Sequence, residues 1–319
     1  MDQVEHISVA PMMDWTDRHC RYFHRLISPS IRLYTEMVTT QALKFGDRER
    51  FLRFNNEEHP VALQLGGSEP AELAQSAKWG QDAGYDEINL NCGCPSERVQ
   101  SGAFGACLMK EPKLVRDCIK AMRDAVSVPV TVKCRIGIDD CDPYPFLEEF
   151  IGTVHEGGCD TFIIHARKAW LKGLSPKENR EVPPLQYDIV EQIKKAFPSL
   201  NLPVNGGIQD IDNAQEKYDL FDGIMIGRKA YQEPWFLDDI ENTFYQSTNL
   251  KSRSEVVEAM IPYIIEQNEK HDTPLKSITR HMIGLFQGLP GAKKWRQEIS
   301  TKAHLEETKP EFLMDIIPQ

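Results

Sequence analysis

The stretch from Asp86 to Lys110 reads DEINLNCGCPSERVQSGAFGACLMK. In Glu87-Ile88-Asn89-Leu90-Asn91 apolar and polar residues alternate with the period of a strand, and Cys92-Gly93-Cys94-Pro95 ends it, since Gly and Pro cannot continue a ladder. A thiol is thereby presented at a strand's end. The following Ser101-Gly102-Ala103-Phe104-Gly105-Ala106 is a loop of small residues that lets backbone approach a flat ligand closely.

Similar runs recur at Ile7–Met12, Leu33–Thr39, Val61–Gly66, Val130–Arg135, Thr161–His165, Leu202–Asn205 and Gly223–Ile226, making eight in all. Helix-sized segments separate them, and Glu69-Pro70, Pro112–Ala125 and Leu185–Ala196 carry helix signals. Eight strand–helix repeats predict parallel βαβ units closed into an α/β fold, a (β/α)8 TIM barrel, whose chemistry sits at the strands' C-terminal ends. Beyond Glu233-Pro234-Trp235 only helical pattern remains, at Ser254–Glu269, Lys276–Phe286 and Lys293–Glu306. The expected organisation is a catalytic barrel over residues 1–240 and a small all-helical domain over 241–319.

Composition narrows the classes. The 319 residues suit one barrel plus an appendage, and the 41% hydrophobic content supports an ordinary core without an apolar run of membrane-spanning length. The acidic Met1–His6 start does not resemble a secretory signal. Cytoplasmic residence follows as the expectation, with no membrane association. Eight cysteines without a C-x-x-C pair argue for reduced thiols and for no metal site.

A net charge of −11 opposes nucleic-acid binding if taken globally. Its distribution does not. Residues 165–180 hold Arg167, Lys168, Lys172, Lys177 and Arg180 against Glu178, and residues 275–305 hold Lys276, Arg280, Lys293, Lys294, Arg296 and Lys302 against Glu298. Such runs are ordinarily solvated faces, so alone they decide nothing.

The strand ends assemble the candidate site: Pro11-Met12-Met13, Gln64, Cys94, Lys133 with Arg135, His165 with Arg167, Asn205-Gly206-Gly207 and Gly227-Arg228. The last two occupy the barrel position that commonly holds a phosphate, and Arg228 adds a bidentate donor. Lys133 stands in a valine- and threonine-rich run, where an inward charge needs an anionic partner and an outward one needs only water.

The string Asn91-Cys92-Gly93-Cys94-Pro95 followed by Gly102-Ala103-Phe104-Gly105-Ala106 resembles the signature of tRNA-dihydrouridine synthases. Ala10-Pro11-Met12-Met13-Asp14-Trp15-Thr16-Asp17 and His165-Ala166-Arg167-Lys168-Ala169-Trp170 are similar to that family's A subgroup. The resemblance implies an FMN enzyme that takes hydride from NADPH and reduces D-loop uridines of tRNA, around positions 20/20a. It assigns Lys133 and His165 to the flavin and neighbouring substrate, with Gln64 at the ring's polar edge and Pro11, Met12 and Met13 in the cofactor site.

The family's proton donor matches Cys94. Hydride addition at C6 of uracil builds negative charge toward C5, which calls for a general acid, and an ordinary thiol is largely protonated at neutral pH. Cys92 is expected to be a small buried filler. The uridine must turn outward to reach the barrel, with Asn91 placed to bond the base, and Arg167, Lys177, Arg180, Lys293, Lys294 and Arg296 to grip the backbone. A monomer is expected. Two alternatives stand beside this reading: a Schiff-base lyase using Lys133 on a sugar phosphate, and a non-enzymatic RNA-binding barrel.

Overall fold

A computed structural model describes residues 6–96, 102 and 104–318, so Ser101 and Ala103 of the small-residue loop and the first five residues of the chain fall outside it. Among the described residues nine strands form: β1 (Ile7–Val9), β2 (Leu33–Tyr34), β3 (Val38–Thr39), β4 (Val61–Gly66), β5 (Glu87–Cys92), β6 (Val130–Arg135), β7 (Phe162–His165), β8 (Val204–Asn205) and β9 (Ile224–Ile226). All pair in parallel, in the order β1-β9-β8-β7-β6-β5-β4-β2. A parallel bridge between Ser8 and Arg32 joins the two ends, with the Val9 N–H donating to the Arg32 carbonyl at 2.9 Å. This is the eight-staved barrel that the sequence predicts.

The expected Leu33–Thr39 strand is divided. Its halves bond successive parts of β4, Leu33 opposite Val61 and Val38 opposite Leu65, so they act as one stave. Thr35 causes the break, because its hydroxyl takes the Gln64 N–H at 3.0 Å and donates to the Glu36 carbonyl at 2.7 Å. Helices Pro70–Ala83, Pro112–Ala125 and Pro143–His155 each begin with proline, whose missing N–H costs nothing in a first turn. The helix expected from Leu185 starts at Tyr187.

Alternation in β5 sorts its residues between two environments. Ile88, Leu90 and Cys92 join the main core under the helices, whereas Glu87, Asn89 and Asn91 point the other way into the barrel. Barrels usually fill that space with branched aliphatic side chains. Here a small apolar group, Ala10, Tyr34, Ala62, Ile163 and Met225, shares it with hydrogen-bonded polar residues.

After β9 the chain is helical, chiefly at Phe236–Ile240, Arg253–His271, Leu275–Thr279 and Ala292–Lys302. The expected Lys276–Phe286 helix stops early, giving way to a 3-10 turn at Arg280–Met282. Gly284 sits so close to the chain at 232–234 that a Cβ would lie 2.2 Å from the Gln232 carbonyl oxygen, which makes it a packing residue. The segment rests on helix Arg18–Ile27. Asp17, the N-cap of that helix, accepts from Arg280 at 2.7 Å and pairs with His281 at 3.1 Å. The His19 ring bonds the Tyr263 hydroxyl at 2.8 Å, Tyr22 stacks on Tyr263, and Trp15 stacks on Tyr231. One buried apolar cluster runs without a gap from Ile7 to Ile316.

Candidate active site

The strands' C-terminal ends bring most of the expected residues to one mouth. Register sets Asn91 beside Lys133, Arg135 beside His165, and His165 beside Asn205. Lys133 is half-buried, and its Nζ donates to Asn205 Oδ1 at 2.9 Å, while Asn205 donates to the Met225 carbonyl at 2.7 Å. Loss of hydration, then the nearby Arg135 charge, lowers the Lys133 pKa to about 8. The same causes, with Lys133, Arg167 and Arg180 added, hold His165 well below its ordinary value, so its ring is neutral at pH 7.

Cys94 is partly exposed on the turn that follows β5, and Lys133, Arg135 and Arg180 lie within electrostatic range of its sulfur. Asn91 builds this turn. Its Oδ1 accepts the Gly93 and Cys94 N–H groups at 3.1 and 3.0 Å, and its Nδ2 donates to Gln64 Oε1 at 2.8 Å. One amide hydrogen is left to Asn91 for a ligand. Gln64 is likewise engaged, donating to Asn89 Oδ1 at 2.8 Å. Cys92 is fully buried in apolar surroundings that push its thiol pKa well up.

At the phosphate corner Gly206 and Gly207 have φ of +108° and +78°, and a Cβ on Gly206 would lie 2.8 Å from the His165 ring. The Tyr187 hydroxyl fixes the turn by donating to the Gly206 carbonyl at 2.6 Å. A Cβ on Gly227 would meet nothing within 4 Å, so this glycine borders open space. Arg228, expected as a free phosphate ligand, is ion-paired with Glu181 at 2.7 Å and donates to the Arg180 carbonyl at 3.3 Å. Arg167 donates to the Pro183 carbonyl, while Lys177 and Arg180 are exposed on the same loop. Pro11 and Met12 are half-buried beyond β1, and Met13 is exposed.

Lys293, Lys294 and Arg296 lie on helix Ala292–Lys302, after the last barrel strand. The two lysines are exposed, Arg296 bonds Gln287, and among the described residues no hydrogen bond ties the three to the barrel strands.

Arg135, noted only as a strand end from sequence, proves central. Buried at 4% exposure, it donates to the carbonyls of Gly93, Lys168 and Asn179 at 3.0, 3.1 and 2.9 Å, binding the cysteine turn to the loop after β7. Its place two residues beyond Lys133 and four beyond Thr131, on the same face of the strand, was the available signal. Asn179, also unanticipated, organises that loop through Trp170 and Leu174.

The mouth therefore gathers Lys133, Arg135, Arg167, Arg180 and Arg228, with the Glu181 carboxylate paired to Arg228. That excess of cations, beside a glycine corner open to solvent, suits an anionic ligand with a phosphate. No group of histidine, cysteine, aspartate or glutamate that could hold a metal ion occurs among the described residues. Fold and mouth are those of a barrel whose C-terminal face suits an anionic ligand.

Comparison with known proteins identifies the family. Residues 8–318 match the model of the dihydrouridine synthase (Dus) family. The tRNA-dihydrouridine(20/20a) synthase of Vibrio cholerae is 57% identical over 315 residues, spanning 98% of this chain and 94% of that protein. Its counterparts from Shewanella oneidensis and Escherichia coli K12 are each 58% identical, over 93% of this chain and 88% and 86% of theirs. The chain belongs to the dihydrouridine synthase family. Among solved structures, morphinone reductase (TM-score 0.51, 13% identity, 77% of this chain and 87% of that one) shares the fold. So does an old yellow enzyme homologue from Zymomonas mobilis (TM-score 0.53, 12% identity, 77% and 90%).

Proposed function

We propose that the protein is an FMN-dependent tRNA-dihydrouridine synthase that draws hydride from NADPH and reduces uridines 20 and 20a of the D-loop. Family membership supports the reaction class, and the names of the Vibrio, Shewanella and Escherichia relatives support the position. The observation that carries the mechanism is a partly exposed thiol, Cys94, facing the cation-rich mouth.

FMN, when bound, supplies hydride to C6 of the base. Gly206, Gly207 and Gly227 would hold its phosphate by backbone N–H groups, with Arg228 reaching it at the expense of Glu181. Lys133 would face the ring's N1 side, where a positive charge favours the reduced, anionic form. His165, kept neutral, lines the site without adding a further charge, and Pro11, Met12 and Met13 would cover the ring. Asn91 presents its spare amide hydrogen to the base, and Cys94 delivers a proton to C5.

The extruded uridine needs its backbone held. Arg167, Lys177 and Arg180 border the mouth, and Lys293, Lys294 and Arg296 supply a second cationic face on a helical tRNA-binding unit comprising residues 241–319. We take the enzyme to act as a cytoplasmic monomer. Among the described residues no helix is long and apolar enough to cross a membrane. Against the lyase alternative stands family membership, although a lysine with pKa about 8 is what a Schiff base would require.

The test is stopped-flow reoxidation of NADPH-reduced protein by unmodified tRNA. Cys94→Ala should bind flavin and accept hydride normally yet reoxidise ~10²–10⁴-fold slower, whereas Cys92→Ala keeps most of its rate. A colourless protein that does not take up FMN, or a near-normal rate in Cys94→Ala, would overturn the reading.

A further inference from the structure

The polar side chains inside the barrel form one continuous chain. From the cysteine turn, the Gly93 and Cys94 N–H groups donate to Asn91 Oδ1. Asn91 Nδ2 donates to Gln64 Oε1, Gln64 Nε2 to Asn89 Oδ1, and Asn89 Nδ2 to Thr131 Oγ1, each at 2.8 Å. The Thr131 hydroxyl donates to Glu87 Oε1 at 2.6 Å. Glu87 also accepts from the Tyr34 hydroxyl at 2.6 Å and pairs with Arg32 at 3.1 Å.

Every link points the same way. Backbone N–H groups at one end can only donate, and a carboxylate at the other can only accept. The three amides and the hydroxyl between them therefore have one permitted orientation each. Reversing any single amide would set donor against donor on one side and acceptor against acceptor on the other. All five side chains are at most 8% exposed, so water cannot repair a reversed link, and aligned bonds polarise one another.

We propose that Glu87, at the opposite end of β5 and roughly 13 Å from Asn91 by strand rise, is a positioning residue that fixes the cysteine turn through Thr131, Asn89, Gln64 and Asn91. Its importance for turnover rests on the proposed function; its effect on the turn does not. Threonine at 131 serves as the link because its hydroxyl accepts from Asn89 and donates to Glu87 at once. Valine has the same shape and can do neither.

The experiment compares Thr131→Val, Thr131→Ser and Tyr34→Phe. Tyr34→Phe removes an equally buried bond to the same carboxylate oxygen without cutting the chain, and so controls for stability. The turn is read by the rate at which iodoacetamide alkylates Cys94, followed by mass spectrometry. Half-reactions are followed by stopped flow. Thr131→Val should change Cys94 alkylation and slow reoxidation by tRNA, each by about tenfold, the size of one lost hydrogen bond, while flavin reduction by NADPH stays within about twofold. Thr131→Ser should restore both quantities, and Tyr34→Phe should leave both near wild type.

Unchanged alkylation in Thr131→Val overturns the proposal. So does an equal loss in Val and Ser, or in Tyr34→Phe, because the effect then belongs to packing. Wild-type protein that fails to reoxidise with tRNA refutes the proposed function instead, and the alkylation comparison still decides the role of Glu87.

Discussion

Lys133 illustrates how much one residue's surroundings decide. Its place in an alternating run left two directions open, into the barrel or out to water, and register beside Asn91 with a bond to Asn205 settles the inward one. Because burial lowers its pKa from 10.5 to about 8, the flavin-free fold bears the cost of a poorly hydrated ammonium below pH 8, and stability rises as pH climbs from there toward 10.5. Lys133→Met should accordingly raise the melting temperature of flavin-free protein at pH 7 by at least about 2 °C. In the flavin-loaded protein the effect runs the other way, through loss of a cation beside the reduced ring. There the variant should lower the two-electron potential by about 30 mV, the equivalent of one modest charge contact, as read by dye-coupled titration. An unchanged potential would place Lys133 away from the ring.

Cys94 and the glycine corner could be read from the chain because their chemistry is local: a terminated strand, a pair of glycines. Arg135 and Glu87 could not. An arginine that binds only carbonyls and a glutamate within a strand gain meaning from partners 42 and 44 residues away, Gly93 and Thr131.

Among elements, strands were the most legible, since period-two patterning and eightfold repetition reinforce each other. What patterning missed were tertiary effects, namely the Thr35 bond that divides one stave and the close approach of Gly284 to the chain at 232–234. The turn after β8 offers a test at this scale. With φ at +108° and the His165 ring 2.8 Å from a would-be Cβ, Gly206→Ala combines left-handed strain with a displaced histidine. Strain alone costs about 1–2 kcal/mol, so FMN affinity by fluorescence titration should fall about tenfold or more. Gly227→Ala meets no protein atom within 4 Å, so any weakening there reports contact with the ligand itself. Wild-type affinity in both variants would move the phosphate elsewhere.

For the molecule as a whole, the sum of charge misleads and its placement informs. If helix Ala292–Lys302 grips RNA, replacing Lys293, Lys294 and Arg296 with glutamine should weaken tRNA binding and flatten its dependence on salt, by up to about 0.7–0.9 in log–log slope per lost phosphate contact. Flavin content should not change. An unaltered slope in filter binding would return these residues to an ordinary solvated face. The expected division near residue 240 rested on the loss of strand pattern, which sequence shows well. Continuity of packing is invisible there, and the buried cluster passes through that point without interruption.

That continuity has a kinematic side. Asp17 caps the first barrel helix and also holds two side chains 263 and 264 residues further along, with the Tyr263 and Tyr231 contacts set beside it. Burial favours the neutral acid, but bonds from His281 and the Cys20 N–H outweigh it and keep the carboxyl charged well below the usual carboxylate range. The join is thus a weld and not a hinge, and it holds in acid that would protonate ordinary carboxylates. A load applied to the helices is carried straight into the turn of residues 12–17, at the rim where Met12 and Met13 stand.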